Sequence, residues 1–148
     1  MKALILYRST HHGNTRKLVD HLVKTYGFQS LDVGERDVSL EGYDNIVIAS
    51  GVYGFELDPD ILTIAKTEDF AGKKVFLLYT SASDGKKYAK NIQKILTERK
   101  AEIVGLFHCP GYCTFGPFKL FGGIRKNRPN EKDIENLDAS LKKAFPEL

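Results

Sequence analysis

Three short and almost uninterrupted apolar runs constrain this chain most: Lys2–Tyr7 (KALILY), Asn45–Ser50 (NIVIAS) and Lys74–Tyr79 (KVFLLY). Each is too short for a helix and lacks the alternation of a half-buried strand, so each reads as a strand covered on both faces. Such strands belong to parallel sheets, whose right-handed crossovers lay helices over both sides. The intervals supply those helices. Leu18, Val19, Leu22, Val23 and Tyr26 recur at helical spacing and Gly27 stops them. A short helix is expected over Ile61–Lys66 behind Pro59. A third carries Tyr88, Ile92, Ile95 and Leu96, and a closing one Ile134, Leu137, Leu141 and Phe145. Phe28–Val33 reads as a less buried edge strand because Gln29 and Asp32 interrupt it, and Glu102–Phe107 as a last strand. This alternation predicts a three-layer α/β/α sandwich.

At 148 residues the chain is expected to form a single domain over 1–148, and it shows no linker or repeat. No apolar run approaches the roughly 18 residues of a membrane span, and MKALILY lacks the features of a signal peptide, so a soluble cytoplasmic protein is expected. Cys109 and Cys113, the two cysteines, are expected as reduced thiols. With His108 they make a poor zinc set, and C-x3-C lacks redox-motif spacing, so no metal is expected. The net charge of +3 is spread along the chain rather than gathered into a basic stripe with aromatics, which argues against nucleic acid and leaves phosphate as the anion to consider.

In open parallel sheets a crevice opens beyond the carboxyl ends of strands whose crossovers leave to opposite faces. Three loops qualify: Arg8 to Thr15, Ser50 to Asp58, and Thr80 to Gly85. The first brings hydroxyls at Ser9, Thr10 and Thr15, an amide at Asn14 and the backbone of Gly13 to the start of a helix. Helix-start N–H groups and the positive end of the macrodipole suit a phosphomonoester there, while Asn14 or Ser9 could equally serve as an ordinary N-cap. Other phosphate motifs are missing. No GxxxxGK[ST] run occurs, no GxGxxG follows the first strand, receiver-type acidic residues are replaced by Arg8-Ser9 and Ser50-Gly51, and neither cysteine begins a Cys-x5-Arg loop.

Thr10-His11-His12-Gly13-Asn14-Thr15 resembles the T-x-T-G-N-T phosphate loop of the flavodoxin family and sits, as there, directly after the first strand. The resemblance extends over the whole chain in element order and loop position. It implies a flavodoxin-like fold with a five-stranded parallel sheet; the order 2-1-3-4-5 and FMN at the strand-order reversal are flavodoxin's own. It also implies that Thr10, Gly13, Asn14 and Thr15, with His12 in place of the middle threonine, hold the FMN phosphate, with Ser9 beside them. Ser50-Gly51-Val52-Tyr53-Gly54-Phe55 resembles the loop that flanks one flavin face near N5. Ser81-Ala82-Ser83-Asp84-Gly85, following Thr80, resembles the loop that meets the pyrimidine edge and covers the other face.

Tyr53 and Phe55 are placed to stack on the ring. The third loop has no central aromatic, so Tyr88, Tyr112 or Phe115 are candidates to cover the second face. An imidazole at His12 would favour the phosphate when charged, which implies FMN binding that weakens above about pH 7. The irregular stretch His108–Pro129 is longer than a connection needs, and Gly116–Gly123 is apolar enough to expect it against the sheet end, the flavin or a partner. The expected function is that of an FMN protein shuttling electrons between larger redox enzymes. The alternatives are an FMN-dependent oxidase or reductase, such as a flavodoxin-like protoporphyrinogen oxidase or a quinone reductase, and a non-flavin domain on the same fold. Many flavodoxins are acidic and this chain is not, although Glu56, Asp58, Asp60 and Asp84 could form a local acidic rim.

Overall fold

The computed structural model describes residues 1–8, 13–35, 37–82, 85–111 and 127–148. In chain order these form β1 (Ala3–Arg8), α1 (Asn14–Tyr26), β2 (Gln29–Asp32), β3 (Asn45–Tyr53), β4 (Glu56–Leu57), α2 (Pro59–Thr67), β5 (Lys74–Ser81), a single 3-10 turn (Lys86–Ala89), α3 (Lys90–Glu98), β6 (Glu102–Pro110) and α4 (Glu131–Ala144). The sheet order is β2-β1-β3-β5-β6, with the two-residue β4 added antiparallel to β3. All the other pairings are parallel. Counting only the long strands, the order is the expected 2-1-3-4-5, and β2 takes the edge.

The continuous apolar runs are explained by the two faces they serve. Ala3, Ile5 and Tyr7 of β1, Val47 and Ala49 of β3, and Phe76 and Leu78 of β5 pack under α1 and α4. The residues between them, among them Leu4, Leu6, Ile46, Ile48, Val75 and Leu77, pack under α2 and α3. A strand whose odd and even side chains both enter a core has no position left for a polar residue, so it loses the period-2 signature.

Helix ends follow local rules. Gly27 closes α1 with φ 70° and donates its N–H to the Val23 carbonyl at 3.0 Å, the left-handed C-terminal cap. Asp58 caps α2, accepting from the Asp60 N–H at 2.8 Å, with Pro59 in the first turn. On the other face α1 is clipped to α4, where Asp138 Oδ1 meets His21 Nε2 at 2.8 Å and accepts from the Tyr26 hydroxyl at 2.9 Å. No helix of the described residues is long and apolar enough to cross a membrane.

Candidate functional site

The carboxyl ends of β1, β3 and β5 stand level: Arg8 pairs with Ser50 and Gly51 with Thr80, while Ser81 pairs with Pro110 of β6. From this edge α1 departs to one face and α2 to the other. The strand-order reversal therefore lies between β1 and β3, where a ligand crevice is expected in a sheet of this kind.

On the β1 side, Gly13 occupies the N-cap position of α1 with φ 64° and ψ 23°, a left-handed conformation that glycine adopts without strain. The ordinary-cap alternative therefore does not hold for Asn14, which lies inside the helix. The first turn contains no acidic residue and instead carries Arg16 and Lys17; α3 also begins without an acid, at Lys90, whereas α2 and α4 begin with acids that complement their dipoles. Arg16 leans on the Tyr7 ring, 5.5 Å from its centroid, and bonds Asp20 at 3.0 Å. A positive first turn on the positive end of a helix dipole is unfavourable alone and becomes favourable beside an anion. Thr15 is 1% exposed, and its hydroxyl lies 3.1 Å from that of Thr80.

On the β3 side the expected loop is mostly strand. β3 runs through Gly51 and Val52 to Tyr53, turns at Gly54 and Phe55, and returns as β4, with Tyr53 opposite Glu56. Gly54 at φ 59° and Phe55 at φ 69° are both left-handed, which is the backbone of a two-residue type I′ hairpin. Phe55 is 80% exposed, and its ring lies 6.5 Å from that of Tyr88. Tyr53 folds back over Gly51, where a methyl group would come within 2.5 Å of its hydroxyl oxygen. Ser50 lies beneath. Its buried hydroxyl donates to the Gly51 carbonyl at 2.7 Å and accepts the Asp58 N–H at 3.0 Å, bracing the hairpin against α2.

The third loop is held from behind. Tyr79 is fully buried and donates its hydroxyl to the Gly85 carbonyl at 2.6 Å, and burial pushes its pKa up to about 12. The ring of Tyr88 packs on Gly85, where a methyl group would meet it at 2.7 Å. Ser81 Oγ lies 2.7 Å from His108 Nε2, and the His108 ring is 4.8 Å from that of Tyr79. His108 is thus hydrogen-bonded at the strand end, and no group of metal-binding side chains occurs among the described residues.

Gly111 donates to the Ser81 carbonyl at 3.0 Å. A methyl group on Gly111 would come within 2.5 Å of Asn14 Nδ2. Arg8 and Thr80 open two of the expected loops without an assigned role, and His108 and Gly111 lie outside all three. The Arg8 guanidinium lies against Gly34 and reaches Asp32 at 3.1 Å and Asp60 at 3.4 Å. With Asp58 capping α2, Asp60 beside Arg8 and Glu56 accepting from the Leu57 N–H and the Asn91 amide, three members of the expected acidic rim are engaged within the fold. Cys109 is buried and its thiol pKa is pushed up to about 12 by burial, so it stays protonated. Ser9, Thr10, His12, Ser83 and Asp84 of the expected site lie outside the described residues, as do Cys113 and the segment Gly116–Gly123.

A flavodoxin-domain family model matches residues 4–114. The chain belongs to this family. An uncharacterized protein of Methanocaldococcus jannaschii is 37% identical over 139 residues, covering 91% of this chain and 92% of the relative. Among solved structures, oxidised flavodoxin 1 of Bacillus cereus superposes with a TM-score of 0.73 at 20% identity, covering 100% of this chain and 99% of its own. A Fusobacterium nucleatum flavodoxin bound to flavin mononucleotide gives 0.66 at 19% identity, covering 97% of this chain and 98% of its own. The flavodoxin-like α/β/α fold is therefore shared with these proteins.

Proposed function

We propose that this flavodoxin-domain chain binds FMN and carries electrons between larger redox proteins. The observation that carries the reading is the start of α1. A glycine N-cap and a first turn bearing Arg16 and Lys17 without an acid stand at the strand-order reversal, beside the Gly51–Phe55 hairpin. The residues fit a phosphate monoester. Backbone N–H groups from Gly13 to Thr15 would hold it, with Ser9, Thr10 and His12 from the preceding loop. The Thr15 hydroxyl pairs with that of Thr80 at 3.1 Å, and Thr15 would also offer its backbone N–H to the phosphate.

FMN, when bound, supplies reversible electron transfer. The chain's own groups bind, orient and bias it. Tyr53 and Phe55 offer aromatic faces to one side of the ring. Gly51 and Val52, braced by Ser50, would offer backbone to the flavin, and the left-handed Gly54 would leave the neighbouring peptide free to reorient. Donors from the Ser81–Gly85 loop at the pyrimidine edge would favour negative charge there, and a carboxylate such as that of Asp84 would oppose it.

Titration of the purified apoprotein with FMN tests the reading. The expected result is a yellow complex with quenched flavin fluorescence, reduced in two separate one-electron steps. Protein that refuses FMN overturns the flavin reading. A holoprotein reoxidised rapidly by a quinone or porphyrinogen-type acceptor, without a protein partner, overturns the carrier role in favour of an oxidoreductase.

A further inference from the structure

Two contacts fix where the start of α1 sits. Thr15, in the first turn of α1, is tied through its hydroxyl to Thr80 at the end of β5, and both residues are almost fully buried, at 1% and 3% exposure. Next to it, the Asn14 amide packs on the backbone of Gly111, just beyond β6, where a side chain would come within 2.5 Å of Nδ2. Gly111 is itself fastened to the third loop by its N–H bond to the Ser81 carbonyl at 3.0 Å. The start of α1 is therefore pinned to the ends of β5 and β6. A buried hydroxyl pair holds its partners at fixed separation, because either oxygen left unpaired loses a hydrogen bond that water cannot replace.

We propose that Thr80 and Gly111 are positioning residues for the phosphate subsite: they set the height of the α1 N-terminus against the β5 and β6 ends, and so make the site selective for the phosphorylated flavin over riboflavin. This rests on the FMN reading above. Neither residue touches the phosphate. Each acts through its neighbour in the first turn, Thr80 through Thr15 and Gly111 through Asn14. Loss of either contact frees the helix start to shift, which weakens several phosphate hydrogen bonds together and leaves the ring's own contacts in place.

The test compares FMN and riboflavin dissociation constants, by quenching of flavin fluorescence on the apoprotein, for wild type, Thr80→Val, Thr80→Ser and Gly111→Ala. The expected result is FMN affinity about three- to tenfold weaker in Thr80→Val, the range that losing a hydrogen bond or two gives, and weaker in the same direction in Gly111→Ala, whose methyl group displaces the Asn14 amide. Riboflavin affinity should stay within twofold, and Thr80→Ser, which keeps the hydroxyl, should restore the wild-type preference. Equal weakening of both flavins, or an unchanged preference in Thr80→Val, overturns the positioning role while the FMN reading stands. Wild-type protein that binds neither flavin overturns both. Thermal melts of the apoproteins run alongside: a folded Thr80→Val protein is sufficient for the decision if Gly111→Ala does not fold.

Discussion

Phe55 is the residue at which the fold and the site pull apart. A non-glycine residue at φ 69° meets its own carbonyl, and the conformation costs about 1 kcal/mol that an asparagine or glycine would avoid. Its ring is 80% exposed and returns little of that cost through burial. In the proposed function the ring serves a flat ligand rather than the fold. Phe55→Asn is therefore expected to raise the stability of the apoprotein by about 1 kcal/mol, read as a higher urea midpoint, and to weaken FMN binding in the same preparation. A variant that is less stable than wild type would show that the Phe55 ring serves the fold through its contact with Tyr88, not the site. By contrast, Gly54, with φ 59° in the same turn, carries no such conflict.

The helices and strands differ in how openly the chain advertises them. The runs around Ile46–Ile48 and Val75–Leu78 were legible because both faces of a central strand are apolar, and Gly27 and Pro59 marked helix ends by backbone preference alone. The β3–β4 hairpin was not. Gly51 inside a strand looks the same as Gly51 opening a loop, and Phe55 does not signal a left-handed turn. Likewise, the contacts of Thr80 with Thr15 and of Gly111 with Asn14 join residues distant in sequence, and no local pattern carries such a pairing. The start of α4 lies between these cases. Asn130 and Asp133 form a reciprocal capping box, and Arg128 grips Asp133 with two hydrogen bonds of 2.6 and 2.5 Å. Burial acts to raise the Asp133 pKa, but the bonds from Arg128 and the Asn130 backbone outweigh it and hold the carboxyl below its ordinary value. A depressed carboxyl pKa stabilises the fold above the unfolded value of 3.8, and that contribution is lost as the pH falls through the lower folded value. Arg128→Ala should thus cost about 2 kcal/mol at neutral pH and much less in acid, measured by urea denaturation at pH 7 and below pH 3.8. A cost independent of pH would assign the effect to Arg128 packing instead.

Across the molecule, each of the two cores on either side of the sheet carries a hydrogen-bonded tyrosine hydroxyl at a different kind of joint, one half-buried and one buried. Tyr26 closes the α1–α4 side through Asp138, and its pKa is pushed up to about 12, first by burial and then by that hydrogen bond. Tyr79 lies under α2 and α3 and reaches the third loop through the Gly85 carbonyl, with its pKa also near 12 through burial. Both groups hold their protons more tightly folded than unfolded, where the ordinary value is 10.0. Their contribution to stability is complete below pH 10 and declines as the pH rises toward 12, because the unfolded chain releases these protons first. The urea midpoint of the wild-type protein should fall over that interval. Tyr26→Phe removes one ionisation and one hydrogen bond to Asp138, so it should be less stable than wild type at pH 8 yet lose less stability between pH 10 and 11.5. Tyr79→Phe should flatten the same decline, and it should also weaken FMN binding at pH 8, since only Tyr79 is tied to a ligand loop. If both variants decline as steeply as wild type, the alkaline weakening comes from other groups. If Tyr26→Phe alone weakens FMN binding, coupling between fold and site runs through the α1–α4 face rather than through β5.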